Sequence, residues 1–541
     1  MQGTMMQYPL TLVHVLERVG KIFPTIEVLS RLPDGSIHRT NWGGIYQRAR
    51  ALAHALQRAG LRRGDRIATL MWNHYAHLES YFGIPAAGGV LHTLNLRLAP
   101  HDIAYIANHA NDRFLIVDDI LLPTFEKFRS AVNFERVIVV PLTARPTPAI
   151  HDNYEDFLAS ASGSFQYPEL DENEAAAMCY TSGTTGVPKG VVYTHRSAVL
   201  HTLLLTTVDN FAISHCDVVL PVVSMFHVNG WSLPFASAMA GAKLVLPGPH
   251  LDPESLLDIC EREKVTVAAG VPTIWFGVVE RLRDNPGRWT LRPMRVLIGG
   301  AAPPESLIRE LSGYDMEVTQ GWGLTESSPE ATTNMLRSHL RHLPQEDKCA
   351  FQAKAGLPVP LVDVRVVNEA GEVPHDGQTM GEIHLRGPWV ASSYYNLPEE
   401  RTKWTDDGWF RTGDIGTLDS EGYLKIADRS KDLIKSGGEW ISSVDLENAL
   451  VAHPDICEAA VIAVPHPKWQ ERPVAVLVAR EGARIAPEQL RQFLSAKFAT
   501  WQIPDAFVFV SQLPHTSTGK LYKKALREQY QQWEWKNAEK F

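Results

Sequence analysis

An alternation of amphipathic helix and apolar strand runs through most of the chain and limits the folds that it can adopt. In each repeat, apolar residues at helical spacing lead into a short run rich in β-branched residues. The clearest repeats are residues 45–72, 103–118, 128–141, 256–272 and 307–323. Such alternation predicts layered α/β structure. Because it extends to about residue 425, too far for one simple doubly wound sheet, we expect two or more α/β subdomains.

The order and spacing of the predicted helices and strands change twice towards the C-terminus. From about Val359, short strands separated by frequent turns predict a small β-rich portion that closes the large N-terminal part. After Asp428, helices and strands are mixed over a length typical of one small α+β domain. We therefore expect an α/β protein with a large N-terminal domain at 1–427 and a small C-terminal domain at 428–541.

Composition excludes several classes of protein. Hydrophobic residues make up 45% and charged residues 21% of the 541 residues, which is typical of a globular protein with a large core. The 52 basic and 61 acidic residues give a net charge of −9, which argues against a general nucleic-acid binder with a basic surface. No apolar run reaches the ~20 residues that span a bilayer, so we expect no integral membrane association.

The five cysteines and the N-terminal segment bear on the compartment of the protein. The cysteines are scattered and form no CxxC pair, so we expect reduced thiols. His14, Glu17 and Arg18 interrupt the apolar residues of the first segment, and no secretory signal is predicted. Both features favour a cytoplasmic protein.

The segment Tyr180–Ser197, YTSGTTGVPKGVVYTHRS, is the most informative of the chain. An apolar strand enters a loop dense in glycines and hydroxyls, whose N–H and O–H groups can surround a polyphosphate while Lys189 supplies positive charge. A Walker loop has Gly before its Lys, and Pro188 occupies that place here, which weakens the interpretation as a P-loop kinase or ATPase. The predicted phosphate contacts in the loop are Thr181, Ser182, Gly183, Thr184 and Thr185.

This loop resembles the signature loop of the AMP-forming acyl-adenylating superfamily, which includes acyl-CoA synthetases, luciferases and peptide-synthetase adenylation domains. Further segments resemble the other motifs of that superfamily, in the same order and over nearly the whole chain. These segments are Gly299–Pro304, Gln320–Glu330, Trp409–Gly416, Ala427–Glu447 and Thr516–Leu526. Each is weak alone, but their common order and the overall length favour membership of the superfamily.

The resemblance implies a site for ATP. Trp322 would pack against adenine, Thr325 would approach the α-phosphate, and Asp414 would accept both ribose hydroxyls. The other residues that the resemblance implies around the nucleotide are Gly300, Ala301, Ala302, Gln320, Gly321, Gly323, Arg429 and Lys431.

The resemblance also implies coenzyme A as the acceptor and a mobile C-terminal domain. In acyl-CoA synthetases, a loop after the hinge between the domains turns towards the reacting centre once the adenylate has formed. The residues that resemble this loop are Lys435, Gly437, Gly438 and Trp440. We therefore expect the C-terminal domain to carry both the hinge and a catalytic lysine.

The implied catalytic residues follow from the charges of the substrates. A carboxylate attacks the α-phosphorus of ATP, so two anions must be brought together, and Lys189 and Lys520 would neutralise them. Thr181 and Glu326 would hold Mg²⁺, which prefers few protein oxygens together with phosphate oxygens and water. His227 would border the reacting carboxylate.

The segment Met225–Phe235, MFHVNGWSLPF, resembles the acyl site of fatty acyl-CoA synthetases, where a Trp gates the fatty-acid tunnel. We therefore expect an ATP-dependent fatty acid–CoA ligase for a medium- or long-chain acid, and a homodimer as in those synthetases. A short or sulfur-containing acid, such as 3-methylmercaptopropionate, is the alternative substrate. The expected acyl-site residues are His227, Val228, Trp231, Val271 and Gly300.

Two other classes of function remain open from the residues alone. A P-loop-type kinase or ATPase would release ADP instead of AMP. A non-catalytic nucleotide- or acyl-binding protein would bind the ligands without forming an acyl-adenylate.

Overall fold

The structure is a computed structural model of the chain. It describes residues 1–541 except 2, 144, 162–163, 182–186, 438, 484, 517–519, 532, 534 and 536–541. Each of the five cysteines is free. Among the helices of the described chain, none combines the length and the apolar character needed to cross a lipid bilayer.

The helices of the described residues follow one another along the whole chain. They are α1 (Leu12–Ile22), α2 (Trp42–Arg58), α3 (Tyr75–Ala86), α4 (Pro100–Ala110), α5 (Leu122–Glu126), α6 (Tyr154–Ala159), α7 (His195–Leu205), α8 (Leu233–Ala240), α9 (Pro253–Glu263), α10 (Pro272–Asp284), α11 (Glu305–Ser312), α12 (Gln345–Gln352), α13 (Ser443–Val451), α14 (Pro487–Ser495) and α15 (Lys523–Gln529).

The strands alternate with these helices in the first part of the chain and become more frequent later. They are β1 (Glu27–Arg31), β2 (Ile37–Asn41), β3 (Arg66–Leu70), β4 (Val90–Thr93), β5 (Asp112–Asp118), β6 (Arg136–Val140), β7 (Asp152–Asn153), β8 (Ala175–Tyr180), β9 (Gly190–Thr194), β10 (Val218–Pro221), β11 (Lys243–Leu246), β12 (Val267–Gly270), β13 (Met294–Ile298), β14 (Met316–Gly323), β15 (Glu330–Thr333), β16 (Leu357–Pro358), β17 (Asp363–Asn368), β18 (Gly371–Glu372), β19 (Gly381–Arg386), β20 (Phe410–Leu418), β21 (Leu424–Arg429), β22 (Ile434–Ser436), β23 (Glu439–Ile441), β24 (Ile456–His466), β25 (Gln470–Ala479) and β26 (Ala506–Phe509).

Two large sheets form the layered part that the alternating pattern predicts. One has the strand order β16-β15-β14-β13-β12-β10-β11-β1-β2, and the other has the order β7-β6-β5-β3-β4-β8-β9. The central strands of both sheets are parallel, as in the pairs β12–β13, β13–β14 and β3–β5. Parallel neighbours need a crossover connection, which the helices between these strands provide.

Helices α1, α2, α3 and α8 contribute to one core cluster with residues of both large sheets. Helix α3 is buried from Ala76 to Ala86, which explains why it is apolar almost all round. The indole nitrogen of Trp42 at the start of α2 donates to the carbonyl oxygen of Ala242, 2.8 Å away. The two sheets and their helices thus share one buried interior.

Two smaller sheets follow. The first has the order β18-β17-β19-β20-β21, all antiparallel, and the second has the order β23-β22-β25-β24 with β26 beside β25. The second sheet packs against α13 and α14 around a core of its own that includes Leu446, Val461 and Leu490. The predicted fold class, layered α/β subdomains followed by a β-rich portion and a small α+β part, is confirmed. The expected boundary at 427/428 falls inside β21.

The contact between α2 and α3 is close enough to exclude a side chain at Gly83. A Cβ atom there would lie 2.7 Å from the carbonyl oxygen of Ala49 and 3.0 Å from Cδ2 of Leu52. We expect Gly83→Ala to lower the free energy of unfolding by about 1–3 kcal/mol, because the helices must separate. Denaturant unfolding measures this change. Gln47→Ala, on the exposed face of α2, is the control and should change stability by less than about 0.5 kcal/mol; equal losses in both variants would contradict the packing argument.

Candidate active site

Segments that are distant in the sequence meet at one cavity of about 520 Å³. Two of them follow the parallel strands β10 and β13, and another is the end of β14. The carboxyl ends of neighbouring parallel strands face one edge of a sheet, so the segments that follow them converge there. The predicted site residues that line the cavity are Thr181, Lys189, His227, Val228, Trp231, Gly300, Gly321, Trp322, Gly323, Thr325, Glu326, Arg429, Lys431 and Lys520.

Thr181 and Lys189 stand together at the base of the predicted phosphate loop. Strands β8 and β9 pair in antiparallel fashion, with Tyr180 opposite Gly190. The backbone N–H of Thr181 donates to the carbonyl oxygen of Lys189 at 2.9 Å, and the N–H of Lys189 donates to Oγ1 of Thr181 at 3.0 Å. Nζ of Lys189 forms an ion pair with Glu400 at 2.6 Å. The hairpin therefore directs this lysine into the cavity.

Glu326 lies near this lysine and is itself 7% exposed. Its Oε1 accepts a hydrogen bond of 2.5 Å from the hydroxyl of Tyr394, whose ring centre is 5.1 Å from Nζ of Lys189. Tyr193 connects the segment Tyr180–Ser197 with the segment Gln320–Glu330, because its hydroxyl donates to the carbonyl oxygen of Thr325 at 2.8 Å.

The side-chain oxygens of Glu326 and Thr181 are suitable ligands for a magnesium ion that binds together with a nucleotide. Within the described part of the chain, no three His, Cys, Asp or Glu side chains form a group that could hold a metal. A cation here would have one carboxylate and one hydroxyl from the protein and would need phosphate oxygens and water to complete its shell. This is the coordination that Mg²⁺ prefers.

Trp322 and Arg429 line another wall of the cavity, and both contact the buried carboxylate of Asp414. The indole nitrogen of Trp322 donates to Oδ2 of Asp414 at 3.2 Å, and Nε of Arg429 lies 2.6 Å from Oδ1. Asp414 and Arg429 face each other across the strand pair β20–β21. Burial raises the pKa of Asp414, although the Arg429 cation opposes this effect. Both carboxylate oxygens are therefore partnered, and a ribose hydroxyl would have to replace or share these partners.

Lys520 reaches the cavity from the C-terminal part of the chain. Its Cε and Nζ would lie 3.3 and 4.0 Å from a Cβ atom at Gly300, which has a φ of +82°. Glycine at that position therefore both adopts a conformation unfavourable to other residues and leaves room for the lysine. Burial and the cation of Arg429 lower the pKa of Lys520 to about 8. Burial also lowers the pKa of His227 to about 3, with a further contribution from Lys520, so this imidazole is neutral at neutral pH.

The predicted acyl-site residues Val228 and Trp231 lie in a left-handed turn before α8. Residues 228–232 all have positive φ, between 32° and 58°. The N–H of Asn229 donates to Sγ of Cys179 at 3.3 Å, and Oγ of Ser232 lies 3.0 Å from Nδ1 of His201. These contacts hold a backbone shape that is costly for side-chain-bearing residues. The turn places the Trp231 ring against Gly299, where a Cβ atom would be 2.9 Å from its Cη2.

Several predicted residues lie near the cavity without lining it. Cγ1 of Val271 lies 3.3 Å from the Cβ position of Gly300. Asp414 contacts Trp322 and Arg429, which do line the cavity. The amide of Gln320 faces the carbonyl oxygens of Ala353 and Lys354 instead. The other predicted residues outside the cavity lining are Ala301, Ala302, Lys435, Gly437 and Trp440. Ser182, Gly183, Thr184, Thr185 and Gly438 lie outside the described residues.

Other lining residues were not predicted. Tyr394 lies in irregular backbone and Lys403 ends the 3₁₀ helix Pro398–Lys403; neither belongs to a recognisable motif, so the sequence offers no signal for them. His201, Phe211 and Glu330 line the end of the cavity near Trp231. Glu330 is the last residue of a predicted motif, but only the fold shows that its side chain belongs to this wall.

Comparison with known proteins agrees with this geometry. The chain is 51% identical over 532 residues to a long-chain-fatty-acid–CoA ligase of Thermus thermophilus, covering 98% of this chain and 97% of that protein. It is 45% identical over 537 residues to a 3-methylmercaptopropionyl-CoA ligase of Ruegeria pomeroyi, covering 98% and 99%. The crystal structure of ATP-bound MatB from Rhodopseudomonas palustris superposes with a TM-score of 0.80 at 27% identity, over 96% of this chain and 99% of that one.

Family profiles match both parts of the chain. The profile of the AMP-binding enzyme family matches residues 16–395, and that of the AMP-binding enzyme C-terminal domain matches residues 445–520. The first match alone covers more than half of the chain and contains the Thr181, Trp322 and Glu326 segments, and the second ends on Lys520. The chain is therefore a member of the AMP-binding enzyme family, within the AMP-forming acyl-adenylating superfamily.

Proposed function

We propose that the protein is an AMP-forming, ATP-dependent acid–CoA ligase. The observation that carries the proposal is the meeting of Lys189, Glu326 and Lys520, from three distant segments, in one cavity. Such a set of charges suits the joining of a carboxylate to a magnesium-bound nucleotide.

In the first half-reaction, a carboxylate oxygen attacks the α-phosphorus of ATP and pyrophosphate leaves, giving an acyl-adenylate. Lys520 neutralises the carboxylate and Lys189 neutralises the phosphates. Mg²⁺, held by Thr181 and Glu326, supplies charge neutralisation to the phosphates when bound. Trp322 stacks on adenine, and Asp414 receives the ribose once Arg429 has shifted towards the phosphates. No protein nucleophile takes part, so the site acts by positioning the substrates and by neutralising their charges.

In the second half-reaction, the thiol of coenzyme A attacks the acyl carbonyl and AMP leaves. The residues assigned to CoA, among them Lys435 and Trp440, lie outside the cavity lining while Lys520 lies within it. This arrangement supports two working orientations of a C-terminal domain, 428–541, relative to an N-terminal domain, 1–427. The proposed pivot of the rotation is Asp428, in the segment Ala427–Glu447 that resembles the hinge of the superfamily.

The proposed acid is a medium- or long-chain fatty acid. The ligase from Thermus supports a long chain, and the apolar side chains of Leu205, Phe211 and Trp231 suit an alkyl group. The relative from Ruegeria supports 3-methylmercaptopropionate as the second candidate. We further propose a cytoplasmic homodimer, for which the free cysteines support the compartment.

The test is product identity with a panel of acids from propionate to palmitate, with aromatic acids included. We expect AMP and pyrophosphate to form in a manner that depends on the acid, and acyl-CoA to form when CoA is added. Hydroxylamine should trap the adenylate as a hydroxamate. Release of ADP would contradict the proposal in favour of a kinase or ATPase, and binding without hydroxamate would favour a non-catalytic protein.

Lys520→Ala should lower the rate of adenylation by at least about 100-fold, because a buried charge that meets the carboxylate is lost. The same variant should still convert supplied acyl-adenylate and CoA to acyl-CoA. Pyrophosphate exchange and acyl-CoA formation measure the two steps separately. Lys497→Ala, an exposed lysine of the same part of the chain, is the control. Unchanged adenylation in Lys520→Ala would refute the role of this lysine.

The pKa of Lys520, about 8, predicts the pH dependence of adenylation. The cation is present below this pH and is lost above it, so kcat/KM for the acid should fall as the pH rises through about 8. Lys520→Arg should move the fall to higher pH, even if the rate is lower, since arginine keeps its charge. Pyrophosphate exchange measured from pH 6.5 to about 10 gives the profile. An alkaline fall at the same pH in both proteins would assign it to another group.

Trp440→Ala should slow thioester formation while adenylation stays near the wild-type rate, because Trp440 lies outside the cavity and is 43% exposed. Single-turnover measurements of the two half-reactions check this expectation. The matched control is Trp501→Ala, which removes a tryptophan of nearly equal exposure, 42%, from the same part of the chain. Equal loss of both half-reactions in Trp440→Ala would contradict the assignment.

A further inference from the structure

Residues 389–404 connect the two sides of the predicted phosphate site. The N–H of Ala391 donates to the carbonyl oxygen of Glu326 at 2.7 Å, and the N–H of Tyr395 donates to the carbonyl oxygen of Gly190 at 2.9 Å. Gly190 begins β9, the second strand of the hairpin that carries the predicted phosphate loop. The connecting segment is therefore fixed to both sides, although it contains none of the motifs of the superfamily.

The connecting segment ends in the 3₁₀ helix Pro398–Lys403. Trp404, directly after this helix, is buried, and its indole nitrogen donates to the carbonyl oxygen of Ala391 at 2.7 Å. In a 3₁₀ helix the side chains at positions i and i+3 lie on the same face, so Glu400 and Lys403 share one face of this helix. The anchored helix therefore presents one anion and one cation side by side.

This face of the helix is directed towards Lys189. Oε2 of Glu400 forms the ion pair of 2.6 Å with Nζ of Lys189, and Lys403 lines the same cavity as Lys189. The side chain of Lys403 is half-buried and forms no hydrogen bond or ion pair with any other residue that the structure describes. Arg401, which lies between the two, is exposed and does not line the cavity. Lys403 thus adds a positive charge to the cavity wall that no described carboxylate neutralises.

The two charges of this helix have opposite effects on a bound triphosphate. When the bond between the α-phosphorus and the bridging oxygen breaks, its electron pair stays on that oxygen, and pyrophosphate leaves with additional negative charge. A lysine near Lys189 neutralises this charge and binds the phosphates before the bond breaks. The carboxylate of Glu400 repels the phosphates and competes with them for Lys189.

We propose that Lys403 is a further binding residue for the β- and γ-phosphates of ATP and for the pyrophosphate that is released, and that Glu400 is the counter-ion of Lys189 that these phosphates displace. The position of the helix favours this end of the nucleotide, because Trp322 and Asp414, which are assigned to adenine and ribose, lie at another wall. This inference rests on the proposed function, in which ATP is the nucleotide.

The experiment compares the affinity for ATP with that for AMP, which lacks the β- and γ-phosphates, by calorimetric titration with Mg²⁺ present and without an acid. Lys403→Ala should weaken ATP binding by about tenfold and leave AMP binding unchanged, because a charge-assisted contact with phosphate is lost. Lys403→Arg should keep most of the ATP affinity, since it retains the charge. Glu400→Gln should instead strengthen ATP binding by about two- to fivefold, because the competing carboxylate is removed from Lys189.

Pyrophosphate itself gives a second measurement. In Lys403→Ala, KM for pyrophosphate in the exchange reaction should rise by about tenfold, for the same reason as the loss of ATP affinity. The conversion of supplied acyl-adenylate and CoA to acyl-CoA, in which no pyrophosphate takes part, should be unchanged. A merely structural role of Lys403 would not separate these two reactions.

Arg401→Ala is the matched control. It removes a cation from the same 3₁₀ helix, but the Arg401 side chain is exposed and lies outside the cavity lining. This variant should leave the ratio of ATP affinity to AMP affinity unchanged. Both affinities are measured on one preparation, so partial loss of folded protein cancels in their ratio.

The failures of the two proposals are distinguishable. An unchanged ratio of the two affinities in Lys403→Ala would overturn the role of Lys403, and unchanged or weaker ATP binding in Glu400→Gln would overturn that of Glu400. Both results leave the ligase function standing if the wild type forms AMP with an acid. A wild type that binds ATP but forms AMP with no acid would refute the ligase function, while the affinities still decide on Lys403 and Glu400. If the wild type binds no ATP, both proposals fail.

Discussion

The cavity can hold several cations together only because carboxylates on neighbouring elements balance them. Lys189 is paired with Glu400 and Arg429 with Asp414, while burial and Arg429 lower the pKa of Lys520. A chain with a net charge of −9 thus concentrates positive charge at one place. ATP, CoA and a carboxylate are all anions. In the proposed reaction their negative charges neutralise these cations in place of the carboxylate side chains.

The same constraint explains why the site is assembled from distant segments. Lys189, Arg429 and Lys520 lie far apart in the sequence, so in the unfolded chain these cations scarcely repel one another. Lysines and arginines placed on separate elements meet only after folding, when packing of the two large sheets and the C-terminal part offsets their repulsion. The glycines at 299, 300 and 321 allow the backbone to line the cavity, so Lys520 and the Trp231 ring approach it without a clash.

Much of the fold was predictable from local patterns. The alternation of helix and strand indicated layered α/β structure. In the structure, the side chains of Asn41 and Asp252 accept hydrogen bonds from backbone N–H groups at the starts of α2 and α9. The order of strands within the sheets was not predictable, because the strand order depends on long-range packing that no local window contains. The pairing of β1 with β11 across more than two hundred residues is an example.

The residues of the site also fall into those that the sequence predicted and those that only the fold shows. The sequence by itself pointed to Thr181 and Lys189 through a loop rich in glycines and hydroxyls, and to Trp322 and Glu326 through the resemblance to the superfamily; the structure brings all four to one cavity. Only the tertiary structure decided which side chains complete the walls, Tyr394 beside Glu326 and Glu330 beside Gly321. Their positions depend on how strands cross and on which atoms burial deprives of water, and neither property is encoded in a short stretch of sequence.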